Sequence, residues 1–211
     1  GLPEAVAFPG TTEEISAILK LAHEHRFPVI PRGAGSGMSG GSVPCRGGLV
    51  LVLSRLNRIL KIDTLNFLAV VEPGVVNRDL QQAVEAVGLF YPPDPASMNF
   101  STLGGNVAEC AGGARAVKYG VTRDYVLGLT AVIPTGEILK TGVRTAKGVV
   151  GYDLTRLLVG SEGTLGIITE ITLRDPVINI EKGTDGKLNH ETPSRSPKPP
   201  ATGGETPGFS L

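Results

Sequence analysis

The stretch PRGAGSGMSGG, residues 31–41, holds five glycines and two serines in eleven positions and begins where the apolar run FPVIP ends. An ordered glycine costs about 0.5 to 1 kcal/mol more chain entropy than an ordered alanine, so such a cluster needs a physical reason. Either the loop stays mobile, or its bare backbone lets another group approach the main chain closely. The stretch leaves two interpretations open: a mobile surface loop, and a loop whose backbone N–H groups bind an anion.

Apolar periodicity on both sides of this loop predicts a β-α-β unit with one further strand. Thr11 and Glu14 form a capping-box pattern at the start of a predicted amphipathic helix. The predicted elements are a strand at 5–9, a helix at 15–26, and strands at 27–31 and 48–54.

A second group of strands with one helix follows. Asn77 is the predicted N-cap of the helix RDLQQAVEAVG, which Gly88 ends. Thr135 and Gly136 form the predicted turn of a hairpin. The strands are expected at 59–63 and 67–75, in the hairpin at 127–142, and at 165–174.

The composition of the chain changes near Asp175 and Pro176. Residues 177–211 are rich in Pro, Gly, Ser, Thr and charged residues and almost lack apolar periodicity. Such a segment cannot bury enough apolar surface to offset its ordering entropy. We therefore expect residues 177–211 to form a disordered tail.

Size and charge exclude several classes of protein. The 211 residues are 41% hydrophobic, with a mean hydropathy of +0.12, which is enough for a buried core. Twenty basic and twenty acidic residues give a net charge of zero, and no basic block with interleaved aromatic residues occurs. The sequence therefore gives no indication of nucleic-acid binding.

Cysteine usage and hydropathy indicate the compartment. Cys45 and Cys110 are the only cysteines, which argues against a disulfide framework and favours a reducing compartment. No apolar run approaches the roughly 18 residues of a membrane span, and no signal-peptide pattern opens the chain. Because the first residue is Gly1, we interpret the sequence as a processed or excised piece.

The glycine loop differs from two common phosphate-binding motifs, the Rossmann dinucleotide motif and the P-loop. Residues 35–40, GSGMSG, match the dinucleotide pattern G-x-G-x-x-G, but that motif requires a helix directly after the glycines and none is predicted. Asp63 also lies too far along the chain for the acid that binds ribose in a Rossmann unit. A P-loop is excluded because no Gly-Lys-Ser/Thr occurs.

Two further glycine-rich segments favour a ligand-binding loop over a mobile one. SMNFSTLGGNVAECAGG, residues 97–113, follows the proline-stiffened YPPDPAS, and VGSEGTLGII spans residues 159–168. We expect all three glycine segments to form loops. Their number suggests one large, flat, phosphorylated ligand lined by main chain.

Six motifs in order identify a family. PRGAGSGMSGG, EPGV, YPPDPAS, STLGGNVAECAGG, KYGVTRDYV and GSEGTLGIITEITL closely resemble the PCMH-type FAD-binding domain of the vanillyl-alcohol-oxidase superfamily. Within it the sequence is most similar to the glycolate oxidase D subunit and to D-lactate and D-2-hydroxyglutarate dehydrogenases. The resemblance covers about residues 2–174. It implies an α+β fold of two subdomains, residues 1–58 and 59–176, with FAD extended between them.

The resemblance also implies a set of cofactor-binding residues. Those expected around the pyrophosphate are Arg32, Gly33, Ala34, Gly35, Ser36, Gly37, Gly40 and Gly41. Those expected along the flavin are Pro93, Asp94, Ser97, Thr102, Gly104, Gly105, Asn106 and Gly112. Those expected toward the ribose and adenine are Gly120, Glu162, Gly166 and Ile168.

Simpler roles stay open for several of these residues. Turn residues are the simpler role for Gly104, Gly105 and Gly112, and a turn cap is the simpler role for Asn106. Asp94 would then be an acidic turn residue between two prolines. The remaining candidates with a structural alternative are Ile168, as strand core, and Glu162, as a solvated carboxylate.

No catalytic or metal-binding residue is assigned. His23 and His25 lie two apart near a helix end and cannot face the same way, so we expect no metal there. Met38 stands where some relatives carry a flavin-linked histidine, which implies non-covalent FAD. In such relatives the substrate arginine, histidines and acid belong to a separate cap domain.

The resemblance therefore implies the FAD-binding part of an oxidoreductase that acts on the CH–OH group of a small D-2-hydroxy acid, such as glycolate or D-lactate. The alternative is an FAD-binding module that lacks the cap domain and has no turnover of its own. Expected partners are the hydroxy acid and either other oxidase subunits or a redox partner. We expect a cytoplasmic location, with an organelle or a membrane surface as other placements.

Overall fold

The structure is a computed structural model that describes residues 1–142, 151–174, 179–182 and 188–191. The chain forms two compact units, Gly1–Val177 and Ile178–Leu211. In the second unit, the strands Asn179–Lys182 and Leu188–Glu191 pair antiparallel. The rest of the predicted tail lies outside the described residues, and its disorder stays a prediction.

A three-stranded parallel sheet forms the first part of the larger unit. Its strands are β1 (Ala5–Ala7), β2 (Val29–Arg32) and β3 (Leu49–Val52), with β3 in the centre. Helix α1 (Thr12–His25) connects β1 to β2. The predicted β-α-β unit with one further strand is confirmed.

Helix α1 begins at its predicted cap. The Thr11 hydroxyl accepts a hydrogen bond of 3.1 Å from the Glu14 backbone N–H, while the Glu14 carboxylate accepts one of 2.6 Å from the N–H of Gly10. The carboxylate thus reaches one residue further back than a capping box requires. Ile15 and Leu19 are buried in one cluster with Leu51 of β3.

The glycine-rich stretch forms the connection between β2 and β3. No helix occurs between Arg32 and Leu49, as the sequence predicted. Two neighbouring parallel strands are therefore joined by an irregular loop, which leaves from one strand end and returns to the opposite end of the next.

A five-stranded antiparallel sheet forms the second part of the unit. Its strand order is β4-β5-β8-β6-β7, and the predicted hairpin is β6 with β7. The strands are β4 (Ile59–Asp63), β5 (Leu68–Val71), β6 (Val126–Val132), β7 (Ile138–Gly142) and β8 (Ile167–Arg174).

Short helices cover this second sheet. Leu80, Val84, Leu103 and Val107 are fully buried and share one core with strand residues such as Ile171. The helices are α2 (Asn77–Glu85), α3 (Leu103–Glu109), α4 (Ala116–Tyr119) and α5 (Leu154–Leu158), with a 3-10 turn at Thr122–Asp124.

Two sequence predictions in this region are wrong. Asn77 is the first residue of α2 and not its cap, which is Val76, because the Asn77 side chain is fully buried and cannot turn back to the helix end. The glycine segment 97–113, expected to be a loop, contains α3, because Leu103 and Val107 fall on one face and enter the core.

A tight turn at Glu72, Pro73 and Gly74 fixes the start of α3. The carbonyl of Pro73 accepts a 2.8 Å hydrogen bond from Gly104, and the N–H of Gly74 donates one of 2.6 Å to Leu56. A Cβ on Gly104 would lie 2.5 Å from the Cβ of Pro73, so only glycine permits this approach. The buried Glu72 carboxylate also fixes the turn, because it accepts hydrogen bonds from Arg58.

Glu72 is 4% exposed and accepts from both the backbone and the side chain of Arg58. The distances are 2.7 Å from the Arg58 backbone N–H and 2.7 Å from its guanidinium. Because a buried carboxylate needs such partners, the turn is tied to the segment just before β4.

The two sheets meet in a shared apolar cluster. Val132 of β6 and Ile167 of β8 pack with Ile15 and Leu51 of the first part. We keep the division into subdomains 1–58 and 59–176 as a proposal, since residues Gly1–Val177 form one compact unit.

Candidate functional site

A cavity of about 430 Å³ lies beside the glycine loop, with α3 and the segment before β8 as its other walls. Most of the residues predicted from sequence line it. They are Arg32, Gly33, Ala34, Gly35, Ser36, Gly37, Gly41, Ser97, Thr102, Gly104, Gly105, Asn106, Gly112, Glu162, Gly166 and Ile168.

The backbone of the glycine loop presents unused donors. Within the described chain, no backbone N–H from Gly33 to Ser42 donates a hydrogen bond to protein. Gly33, Ser36 and Ser42 are half-buried and the other seven residues of the run are exposed, so water pairs these groups in the free protein and the donors stay available to an anion. Positive φ angles at Gly35 (+70°) and Gly40 (+85°) turn the chain within the run.

At three glycines of the loop, a neighbouring side chain occupies the position where a Cβ would lie. A Cβ on Gly33 would collide with the hydroxyl of Thr102, and one on Gly37 with the carboxylate of Glu109. At Gly35 a Cβ would meet the Arg32 guanidinium. The bare backbone of Gly33 lets the loop lie close to Thr102 at the start of α3. The side-chain ends of Arg32 and Glu109 can move aside, so the positive φ is the stronger requirement for glycine at position 35.

Three buried polar side-chain atoms of the cavity wall have no partner among the described residues. They are Ser101 Oγ, Thr102 Oγ1 and Asn106 Nδ2, in residues 3%, 8% and 3% exposed. Leaving such a group unsatisfied costs about 1 to 3 kcal/mol, so their gathering at one cavity indicates a polar ligand.

Charge in the cavity wall is sparse. Among the described residues that line the cavity, Arg32 is the one cation, and its guanidinium makes a long 3.4 Å hydrogen bond to the Ser42 carbonyl. Glu109 and Glu162 contribute two carboxylates. Attraction for an anion must therefore come mainly from the backbone N–H groups, not from side-chain charge.

A second, more open cavity of about 890 Å³ adjoins the first. The two share walls at Pro31, Gly41 and residues 162–167. Its outer walls come from the end of α1 and from residues 26–30. Together the two cavities offer room for an extended ligand.

Four predicted residues do not line the first cavity: Gly40, Pro93, Asp94 and Gly120. Gly40 belongs to the loop, where its carbonyl accepts a 3.0 Å hydrogen bond from Val43. A Cβ on Gly120 would collide with the carboxylate of Asp124.

The segment around Pro93 and Asp94 is held by protein contacts. The Pro93 carbonyl accepts a 3.0 Å bond from Gln81 Nε2. Asp94 Oδ1 accepts one of 3.0 Å from the Arg115 backbone, and Oδ2 lies 3.5 Å from Arg115 Nε. Contact of these residues with a cofactor stays a prediction.

Sequence reasoning missed several lining residues. Ser101 precedes the predicted Thr102 but is hidden in a buried turn. Glu109 lies between the predicted Asn106 and Gly112, and its place in the cavity depends on where α3 ends. Neither had a signal of its own in the sequence. The others are Pro31, Met38, Ser42, Leu53, Pro73, Ala108, Cys110, Ala111, Gly163 and Ile167.

Residues 3–142 match the protein family described as FAD binding domain. The chain belongs to this family. The cofactor of this FAD-binding domain is thus FAD, as the sequence resemblance implied.

The relatives of this FAD-binding domain include proteins named as an oxidase subunit and as dehydrogenases. Over 173 residues it is 56% identical to the glycolate oxidase subunit GlcD of Bacillus subtilis, covering 82% of this chain and 37% of that protein. It is 51% identical over 172 residues to a D-lactate dehydrogenase of Anaerostipes hadrus, covering 82% and 36%. A D-2-hydroxyglutarate dehydrogenase of Stutzerimonas stutzeri is 39% identical over 172 residues, covering 82% and 37%. The chain thus spans little more than a third of these relatives.

A solved structure supports the fold. An alkyldihydroxyacetonephosphate synthase superposes with a TM-score of 0.71 at 31% identity, over 82% of this chain and 34% of that one. The α+β fold class and the family resemblance are both confirmed. Within the described residues, no helix has the length and apolar character needed to cross a bilayer.

The residues of the cavity fit FAD. The unpaired N–H run suits a pyrophosphate, and the unpartnered Ser101, Thr102 and Asn106 suit the polar edge of a flavin ring. No positively charged cluster is required, because backbone donors bind phosphate at helix-free loops as well.

We predict that Gly35→Val raises the dissociation constant of FAD by about tenfold or more and so lowers the FAD-to-protein ratio after purification, because the loss of one charge-assisted bond costs that much free energy. Valine resists the positive φ of Gly35 (+70°) and would redirect the neighbouring N–H groups. The ratio is measured from flavin absorbance after purification with added FAD.

Gly88→Val is the matched control. Gly88 has a similar φ of +79° and open space around it, and it does not line the cavity. Equal flavin loss in both variants would mean that Gly35 acts through stability alone.

Proposed function

We propose that this chain is the FAD-binding part of an oxidoreductase that oxidises the CH–OH group of a small D-2-hydroxy acid, such as glycolate or D-lactate. The observation that carries the proposal is the run of unpaired N–H groups from Gly33 to Ser42, beside a cavity with three unpartnered polar atoms. An FAD pyrophosphate and flavin ring would satisfy both sets at once.

We assign parts of the cofactor to parts of the site. The glycine loop would hold the pyrophosphate, with Arg32 as its cation. Ser101, Thr102 and Asn106 would donate to or accept from the polar edge of the flavin. The second cavity, which begins at Pro31 and Gly41, would receive the adenosine end.

Bound FAD supplies the chemistry of the proposed reaction, because it accepts a hydride from the carbon that bears the hydroxyl. The residues of this chain would hold the cofactor, exclude water from one face of the ring, and fix its orientation. We infer that the cofactor is bound without a covalent link, because Met38 stands in the loop where a linking histidine would be needed.

The names of the relatives support the substrate class. Each of the three acts, by its name, on glycolate, D-lactate or D-2-hydroxyglutarate, which are all 2-hydroxy acids. One of them is named as a subunit, which supports further oxidase subunits or a redox partner as binding partners. We propose a cytoplasmic location, with an organelle or a membrane surface as the alternatives.

A second function, cofactor binding without turnover, is favoured by the cavity wall. Within the part of the chain that the structure describes, its ionisable side chains are Arg32, Glu109, Cys110 and Glu162, with no histidine or lysine among them. Tyr125, a buried phenol, is not a lining residue. Burial raises its pKa to about 12, and its hydroxyl donates to the Tyr119 carbonyl.

We predict that the purified chain binds FAD reversibly. Acid precipitation should leave the yellow chromophore in the supernatant, since neither His nor Cys stands in the loop to form a covalent bond. The absorbance of supernatant and pellet is measured. Flavin that remains in the pellet would contradict non-covalent binding, and a saturable NAD site without FAD binding would contradict the proposed cofactor site.

We also predict that the FAD-loaded chain oxidises 2-hydroxy acids far more slowly than ordinary enzymes do. Positioning of substrate can contribute roughly 7 to 11 kcal/mol, and the described cavity lacks groups to orient a carboxylate and remove a proton. Anaerobic stopped-flow measures flavin reduction by glycolate, D-lactate and D-2-hydroxyglutarate. Reduction at about 10 per second or faster by any of them would show that the chain contains a complete active site.

A further inference from the structure

The last residue of α3, Glu109, contacts the glycine loop directly. The Ser39 hydroxyl donates a hydrogen bond of 3.1 Å to Glu109 Oε1. The same oxygen stands where a Cβ on Gly37 would lie, so the carboxylate rests against the loop at two points. Glu109 is exposed and also lines the cavity, which means that it faces both solvent and the ligand.

This contact puts a negative charge beside a backbone run that is prepared for an anion. The N–H groups of Gly33 to Ser42 have no acceptor among the described residues, while Glu109 takes up only the hydroxyl of Ser39. A phosphate that occupied the run would lie near this carboxylate and be repelled by it. Arg32, the one cation in the cavity wall, would offset one negative charge.

We propose that Glu109 lowers the affinity of the cofactor site for every ligand that carries phosphate and so sets an affinity threshold for binding. Its carboxylate holds the free loop through Ser39 and opposes phosphate, so it weakens ligands that bind by phosphate alone. A ligand that also fills the flavin part of the cavity has enough further contacts to bind in spite of this repulsion. The inference rests on the proposed FAD site.

The consequence is an affinity threshold and not a change in the ratio of FAD to ADP affinity. The same penalty leaves ADP and inorganic pyrophosphate weakly bound, whereas FAD remains bound through the contacts of its flavin ring. Riboflavin has the ring without phosphate, so the charge of Glu109 should not affect it.

Glu109→Gln tests the proposal because it removes the charge and keeps an oxygen for Ser39. The dissociation constants of FAD, ADP and riboflavin are measured by calorimetry with the full chain. Glu85→Gln is the matched control, since Glu85 is an exposed glutamate at the end of another helix, α2, and does not line the cavity.

We expect Glu109→Gln to tighten FAD and ADP by a similar factor, about threefold to tenfold at low ionic strength, from Coulomb interaction across several ångströms of partly aqueous medium. The factor should shrink at high salt, and riboflavin binding and the control variant should show no change. Unchanged or weaker binding of FAD and ADP, or an equal gain for riboflavin, would overturn the inference.

Wild-type protein separates this inference from the function on which it rests. If wild type binds FAD and Glu109→Gln gives no gain, only the role of Glu109 is wrong. If wild type binds no FAD at all, the proposed site fails and the inference with it.

Discussion

The backbone N–H groups from Gly33 to Ser42 donate to no acceptor within the described chain, and this open run of donors determines what the site can bind. Parallel strands β2 and β3 hold the two ends of the loop, and their pairing fixes how far it can extend. Seven of these ten residues are exposed, so water satisfies the donors in the free protein. A phosphorylated ligand would replace that water with charge-assisted hydrogen bonds, so binding and ordering of the loop are expected to occur together.

The opposite wall of the cavity depends on a chain of contacts that ends in the ion pair between exposed Arg58 and buried Glu72. Arg58 holds Glu72, and the turn that follows positions Gly104, the second residue of α3. Thr102, just before the helix, then meets the loop at Gly33. The Arg58 side chain is 71% exposed and the Glu72 side chain 5%, so only the carboxylate of this ion pair is buried. The site is thus supported from a position well outside it.

The sequence allowed good prediction of features that depend on local patterns. Alternation of apolar runs predicted the strands, and the glycines of residues 31–41 predicted a ligand loop without a helix. The family resemblance added FAD, which neither spacing nor composition could have given. Most implied site residues then line one cavity.

Features that depend on tertiary packing were beyond such prediction. The pair Gly104 and Gly105 made α3 look like a loop in the sequence, because the close approach of Gly104 to Pro73 is visible only in three dimensions. Asn77 looked like a cap, yet burial takes its side chain away from the helix end. Glu109 carried no signal in sequence, since its importance comes from meeting Ser39, a residue 70 positions away.

Hydrogen exchange of the full chain with and without FAD tests the role of the glycine loop most directly. Amides of Gly33 to Ser42 should exchange rapidly in the free protein and be strongly protected when FAD is present, while those of α1 should change little. Saturating FAD that leaves this loop unprotected, with protection confined to other segments, would contradict the assignment of the loop as the pyrophosphate site.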